Sequence, residues 1–405
     1  MSRSVLDRAR NPYTPNAGAP PRFLAGRTQE IEDFRILLQR LANGYTEQSI
    51  IITGLRGVGK TVLLGQYERI AEDENWVPVV AEVSKNTPFG PQIANLSRRA
   101  LFQVSPKARW GERAARAAAV VKSFSLTVQA DGATTAGLTA GLDVEPAWGS
   151  ADTGSLNDDL ADVFQAIGEA AAEKNRGVVF LFDEIQFLSK PELEALIGAV
   201  HRTVQRQLPV TFAGAGLPGL PGLAGTAKSY AERLFKFSSI GQLPRGAAVQ
   251  AIVEPARAEG VTFADEAIEF ILAYTEGYPY FIQEFGRAAW NTAEGPVITG
   301  KDAEDALSQV ESELDGSFFQ ARVQRATPDE LRYMRAMAEL GSAEQKASDV
   351  AQVLHKSSEQ LGPIRSRLIS KGLLYAPRFG YAKFTVPQFD RFMRRQMTLD
   401  INSAN

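Results

Sequence analysis

Apolar residues fall into two alternating rhythms along most of this chain. Short runs at 49–53, 77–83, 178–182, 209–213 and 237–240 are rich in Val, Ile and Phe. They are the length of buried strands. Between them the apolar positions recur every three or four residues, as in Ile31, Phe34, Leu37, Leu38 and Leu41, or Leu160, Val163, Phe164 and Ile167. That spacing predicts amphipathic helices. Strands alternating with helices predict a parallel sheet covered on both faces. One stretch breaks the rhythm. Alternation at 124–129, a Gly/Thr/Ala turn and the run 136–145 predict an inserted β-hairpin at about 121–153.

Beyond Pro244 the pattern is helical to Glu313, interrupted at Gly260 and at Gly277-Tyr278-Pro279. Thr327, Pro328 and Glu330 then have the spacing of a helix N-cap, first-turn proline and capping-box acid. Leu331, Met334, Met337 and Leu340 make that helix's apolar face, and helices at 350–354 and 361–368 follow. Runs at 373–376 and 381–386 flank a turn at 377–380 and predict a hairpin. Three helices followed by a hairpin is the order of a winged helix. The expected organisation is a flexible segment 1–22, a core 23–241, a helical lid 242–325 and a winged-helix domain 326–400.

Composition narrows the chemistry. The chain has 405 residues, no cysteine and two histidines, so neither thiol chemistry nor a His- or Cys-based metal cluster is expected. With no apolar run of spanning length and no signal-peptide pattern at Met1–Arg10, the expectation is a cytoplasmic protein without a membrane partner. Net charge is −3, but nine basic residues face two acids between Lys356 and Gln396. A basic end on an acidic body points to an anionic partner. Arg365, Arg367, Lys371, Arg378 and Lys383 are the candidates for duplex DNA: the first three lie on or just after the third helix, the last two at the hairpin.

The sharpest signal follows the first strand. Gly54-Leu55-Arg56-Gly57-Val58-Gly59-Lys60-Thr61, continuing into Val62, is a complete G-x-x-x-x-G-K-[ST] pattern between a strand and a helix. Its backbone N–H groups can wrap a triphosphate, and the helix N-terminus presents positive charge to the same anion. Lys60 can reach the outer phosphates, while Thr61 can hold Mg²⁺. Asp183-Glu184 ends the apolar run 178–182, where such a loop needs a second metal ligand and a carboxylate to activate water. ATP with Mg²⁺ is the expected cofactor pair.

With these residues in place, the chain resembles the AAA+ superfamily. More narrowly it resembles the branch that links STAND signalling ATPases with the archaeal and eukaryotic origin-recognition ATPases. The resemblance covers about residues 12–396 and rests on Phe23-Leu24-Ala25-Gly26-Arg27 with Glu30, on 54–61, on Leu181 to Glu184, and on Gly277-Tyr278-Pro279. It implies an α/β fold with sheet order 5-1-4-3-2, a helical lid and a C-terminal winged helix. It implies that Gly26, Arg27, Gly277, Tyr278 and Pro279 pack around adenine. It also implies that Arg233 is an arginine finger acting on a neighbour, hence a homo-oligomer, and makes Arg287 a weaker phosphate candidate. Two departures stand out. Gly214-Ala215-Gly216 lacks the Asn or Thr usual at the first sensor, and Tyr280 occupies the place of the lid arginine. Both imply slow hydrolysis. Two functions stay open: an ATP-dependent switch or assembly factor that contacts DNA, and a regulatory ATPase that binds a protein partner, with the 121–153 insertion as candidate surface.

Overall fold

The chain builds a parallel sheet of five strands: β1 (Ser49–Thr53), β2 (Trp76–Glu82), β3 (Gly177–Asp183), β4 (Val210–Gly216) and β5 (Phe235–Ser239). The structure is a computed structural model describing residues 6–128 and 135–398. The order β2-β3-β4-β1-β5 is the expected 5-1-4-3-2 read from the other edge. Successive side chains of a strand point to opposite faces, so each apolar run feeds two cores. Ile50, Ile52, Val179 and Leu181 pack on one face with the helices Thr28–Ala42 and Lys60–Asp73. Ile51, Val178, Phe180 and Phe182 pack on the other with Phe89–Val104, Leu156–Glu173 and Lys190–Gln205. Because the strands are parallel, all their carboxyl ends reach one rim, where ligands of such sheets bind.

The expected hairpin at 121–153 does not form in the described residues. Glu112–Thr127 is one helix, and Thr135–Leu138 is a short helical turn; residues 129–134 lie outside the described residues. Ala114, Ala117, Ala118, Val121 and Phe124 recur at helical spacing and are all buried. The Ser125 and Thr127 hydroxyls donate to the carbonyls of Val121 and Ser123, four residues back. The alternation that suggested a strand is therefore the end of a helix whose polar groups are satisfied internally. The hairpin-borne partner surface loses its basis.

Residues 6–22 also depart from expectation. They carry one 3-10 turn, Arg8–Arg10, yet are pinned to the lid. Tyr13 is buried, sits edge-on to Phe263 and donates to the carbonyl of Ile252. The Trp290 indole donates to the Asp7 carbonyl, and Asn11 bonds Asn291 and the Arg287 carbonyl. An irregular segment without helix or strand is held here by one aromatic anchor and its amides.

The lid comprises the helices Arg245–Arg257, Asp265–Thr275, Pro279–Thr292 and Gly300–Glu313. Behind it, Pro328–Glu339, Ala347–Val353 and Ser358–Ser370 pack with a three-stranded sheet of Gln345–Lys346, Tyr381–Phe384 and Leu374–Tyr375. This is the winged-helix order, with Thr327 and Glu330 closing the expected capping box. Pro363 falls in the second turn of its helix and removes one backbone bond there.

Candidate nucleotide site

The loop between β1 and the helix Lys60–Asp73 lies at the carboxyl rim of the sheet. Gly57 and Gly59 have φ of 84° and 91°, the left-handed region that a Cβ disfavours. Gly54 is tight for another reason: a Cβ there would meet the Ile240 carbonyl at 2.4 Å. Lys60 Nζ donates to the carbonyls of Gly54 and Leu55 at 3.0 and 2.9 Å. Burial pushes its ammonium down to about 8, while Glu184 and Asp183 oppose the shift. A cation held in a dry loop without a carboxylate in contact is prepared for an anion.

Thr61 Oγ1 donates to Asp183 Oδ2 at 2.5 Å, so the two expected Mg²⁺ ligands meet. One or two protein oxygens suit Mg²⁺, which fills its shell with water and phosphate. Glu184 Oε1 lies 3.5 Å from Arg56 Nη1, and Gln186 Nε2 donates to the other carboxylate oxygen. Glu184 adopts φ of 54°, uncommon for a side-chain-bearing residue. Gln186 Oε1 in turn accepts from the Leu217 N–H at the end of β4. Gln186 thus joins the carboxylate to the strand that lacks a sensor Asn or Thr, a role the sequence pattern did not mark.

A cavity of about 420 Å³ opens over this loop. Gly57, Val58, Gly59, Lys60, Thr61, Val62, Arg56 and Glu184 form its near wall; Gly54 and Leu55 lie below, accepting from Lys60. Its far wall comes from three places: the segment from Thr14 to Ala25, Pro279 to Gln283, and Ser317 to Arg322. Arg27 and Pro279 of the expected adenine set line the cavity, but Gly26, Gly277 and Tyr278 do not. Instead Arg27 donates to the carbonyls of Val58 and Gly241 at 3.2 and 2.9 Å, and so ties the loop to the lid entrance. A Cβ on Gly26 would strike Ala247, and Gly277 accepts from the Leu243 N–H. Tyr278 is buried and donates its hydroxyl to the Arg56 carbonyl. These three therefore seat the lid on the loop.

Residues 24–212 match the family described as AAA ATPase domain. That segment is an AAA ATPase domain. Residues 316–393 match a second family, described as Domain of unknown function (DUF8462). No curated protein matches the chain in sequence. Among solved structures, Aeropyrum pernix Orc1 in complex with DNA aligns at 13% identity and TM-score 0.44, covering 93% of this chain and 94% of that one. Pyrobaculum aerophilum Cdc6p aligns at 13% and 0.45, covering 98% and 100%. The Thermotoga maritima RuvB Holliday junction branch migration motor aligns at 15% and 0.43, covering 89% and 92%.

Arg233 lies in the short helix Ala231–Leu234, after the matched AAA segment, exposed and outside the nucleotide cavity of its own chain. Arg287 pairs with Glu284 at 2.7 Å and does not line the cavity. The candidate DNA residues lie outside the AAA domain and are mostly engaged. Lys371 and Arg367 both pair with the fully buried Glu330, at 2.6 and 3.4 Å. Burial alone would raise the Glu330 carboxyl, but Lys371, Thr327 and Arg367 together hold it below the usual range. Arg365 donates to the Tyr381 carbonyl, and Arg378 pairs with Glu344 while lying over the Tyr381 ring. Lys383 is half-buried on the strand Tyr381–Phe384. Of the remaining basic tail, Arg391, Arg394 and Arg395 pair with Glu276, Asp390 and Asp315. No helix among the described residues is long and apolar enough to cross a membrane.

Proposed function

We propose that this protein is an ATP-hydrolysing switch in which the state of the nucleotide governs docking of the C-terminal module on the phosphate loop. The loop's backbone and Lys60 hold the phosphates, Thr61 and Asp183 hold Mg²⁺, and Glu184 takes the proton from the attacking water. Mg²⁺ held there would offset phosphate charge.

The observation that carries the reading is Arg56. Its N–H donates to the Thr385 carbonyl of the C-terminal module at 3.1 Å. Its guanidinium lies so close to Gly372 that a Cβ there would come within 2.9 Å of Nη2. The same guanidinium pairs with Glu184. One loop residue therefore touches the phosphate site, the water-activating carboxylate and the far module. A triphosphate competes with Glu184 for Arg56, at once freeing the carboxylate and changing how the module seats on the loop. The test uses spin labels at V80C and K356C, both exposed positions in a chain without cysteine. Distance distributions that differ between ATP- and ADP-bound protein support the switch. Identical distributions in both states, with nucleotide bound, overturn it.

A second reading keeps duplex DNA as partner. Arg367 and Arg378 leave 53% and 59% of their side-chain surface in solvent despite their ion pairs. Binding by anisotropy that weakens steeply with salt, and weakens again in R367A/R378A, supports it. Absence of binding at low salt leaves a protein-directed switch. Arg233 as a finger within a homo-oligomer belongs to the same proposal, and sedimentation with ATP tests it.

A further inference from the structure

Tyr280 leaves the lid without the arginine expected on its side of the phosphates. Its ring stacks on Phe318, with centroids 4.5 Å apart, and its N–H donates to the Gly57 carbonyl. The charge opposite Lys60 has to come from elsewhere or be missing.

It comes from beyond the lid. The helix Gly300–Glu313 runs into a π-helical stretch, Leu314–Phe319, and then into Gln320–Val323. The wider π turn shifts side-chain register against an uninterrupted α-helix, and such bulges gather at functional sites. Here it turns Phe318 and Arg322 into the nucleotide cavity. Phe318 meets Gly57, and the Arg322 guanidinium lies over the Phe318 ring, 4.1 Å from its centroid. Among the described residues no carboxylate pairs with Arg322. Burial pushes its guanidinium down to about 10, and Arg56 adds to that push. Lys60, Arg56 and Arg322 thus converge on one cavity in which Glu184 is the lining carboxylate.

We infer that Arg322 is a phosphate-binding residue for the γ-phosphate end of ATP, replacing the lid arginine that Tyr280 displaces. This rests on the reading of the cavity as an ATP site. Glu184 and Arg56 mark the end where the terminal phosphoryl sits, and Arg322 reaches the cavity on Arg56's side. Arg322 belongs to the 316–393 family segment, not to the AAA ATPase segment. The C-terminal module therefore contributes directly to the bound triphosphate.

The test measures ATP and ADP affinities with Mg²⁺ by calorimetry for wild type, R322M and R322K, alongside thermal melting. R322M keeps an apolar stem over Phe318, and R322K keeps the charge. The expected result is a loss of about 10–100-fold in ATP affinity for R322M, the size of one charge-assisted contact. ADP affinity changes by less than about threefold, and R322K recovers part of the loss. Equal losses for ATP and ADP, or none, with melting unchanged, overturn the role of Arg322 while leaving the ATP site intact. A wild type that binds neither nucleotide overturns the ATP reading itself, and this role with it.

Discussion

The two walls of the nucleotide cavity are built by opposite means. The near wall is a contiguous run, Arg56 to Val62, joined by Glu184 from the adjoining Asp183-Glu184 pair. Its geometry is local: two left-handed glycines, a helix N-terminus and a strand end. The far wall gathers Thr14, Pro279, Tyr280, Phe318 and Arg322 from three separate segments of the chain. Its geometry exists only after the N-terminal segment, lid and C-terminal module pack together. A wall made by local backbone supplies the chemistry shared by phosphate-loop enzymes. In the proposed switch, the wall made by packing is the one through which the rest of the molecule senses the nucleotide.

Substitutions can break this contrast. Glu184→Gln removes the base and the partner of Arg56, and turnover should fall by about 10²–10⁴-fold with ATP affinity kept within about threefold. Single-turnover phosphate release checks it, and undiminished turnover would move the base elsewhere. Lys60→Ala should weaken ATP and ADP alike by at least about 100-fold. Unchanged affinity in fluorescent-nucleotide titrations would sink the near-wall assignment. Tyr13→Ala probes the far wall. Removing a buried ring should cost about 3 kcal/mol of stability and lower affinity for both nucleotides, while leaving turnover per bound ATP intact. Denaturant melts with and without ATP separate the two effects.

The smallest effect is a pH dependence. Lys60 in the free protein titrates near 8, below its ordinary 10.5, because burial disfavours the charged form. Its folded pKa is depressed, so from about 8 to 10.5 the folded chain binds fewer protons than the unfolded one. Lys60 therefore makes the free protein gain stability as pH rises through that window. Phosphate binding favours the ammonium, so affinity should be flat below pH 8 and fall above it, approaching tenfold per unit. Calorimetry at pH 9 in buffers of different ionisation heats should show proton uptake on binding. Its absence would place the Lys60 proton already at full occupancy.

The same contrast explains what the sequence made legible. The strands at 49–53 and 178–182, the phosphate loop and Asp183-Glu184 were readable because each is specified within a dozen residues. The hairpin at 121–153 failed where Ser125 and Thr127 mimic strand alternation at the end of an alanine-rich helix. Gln186 and Arg322 escaped notice because nothing adjacent to them in sequence announces their role; it lies in Leu217 for Gln186 and, for Arg322, in the Arg56-Gly57 loop that Phe318 meets. The basic tail has the same limit. Charge counted along the chain does not show that Lys371 and Arg367 share Glu330, or that Arg391 answers Glu276.

The anchoring of Tyr13 also orders events in time. The segment that walls one side of the cavity leaves the ribosome before the lid, and Tyr13 binds the Ile252 carbonyl 239 residues later in the chain. At 5–20 residues per second that is a delay of roughly 10–50 s. β1 itself waits for β4 and β5, which flank it in the sheet, so the phosphate loop and its cover are completed within the same few tens of residues. The N-terminal segment therefore stays without its anchor through most of synthesis, and the cavity is enclosed only once the lid has been made.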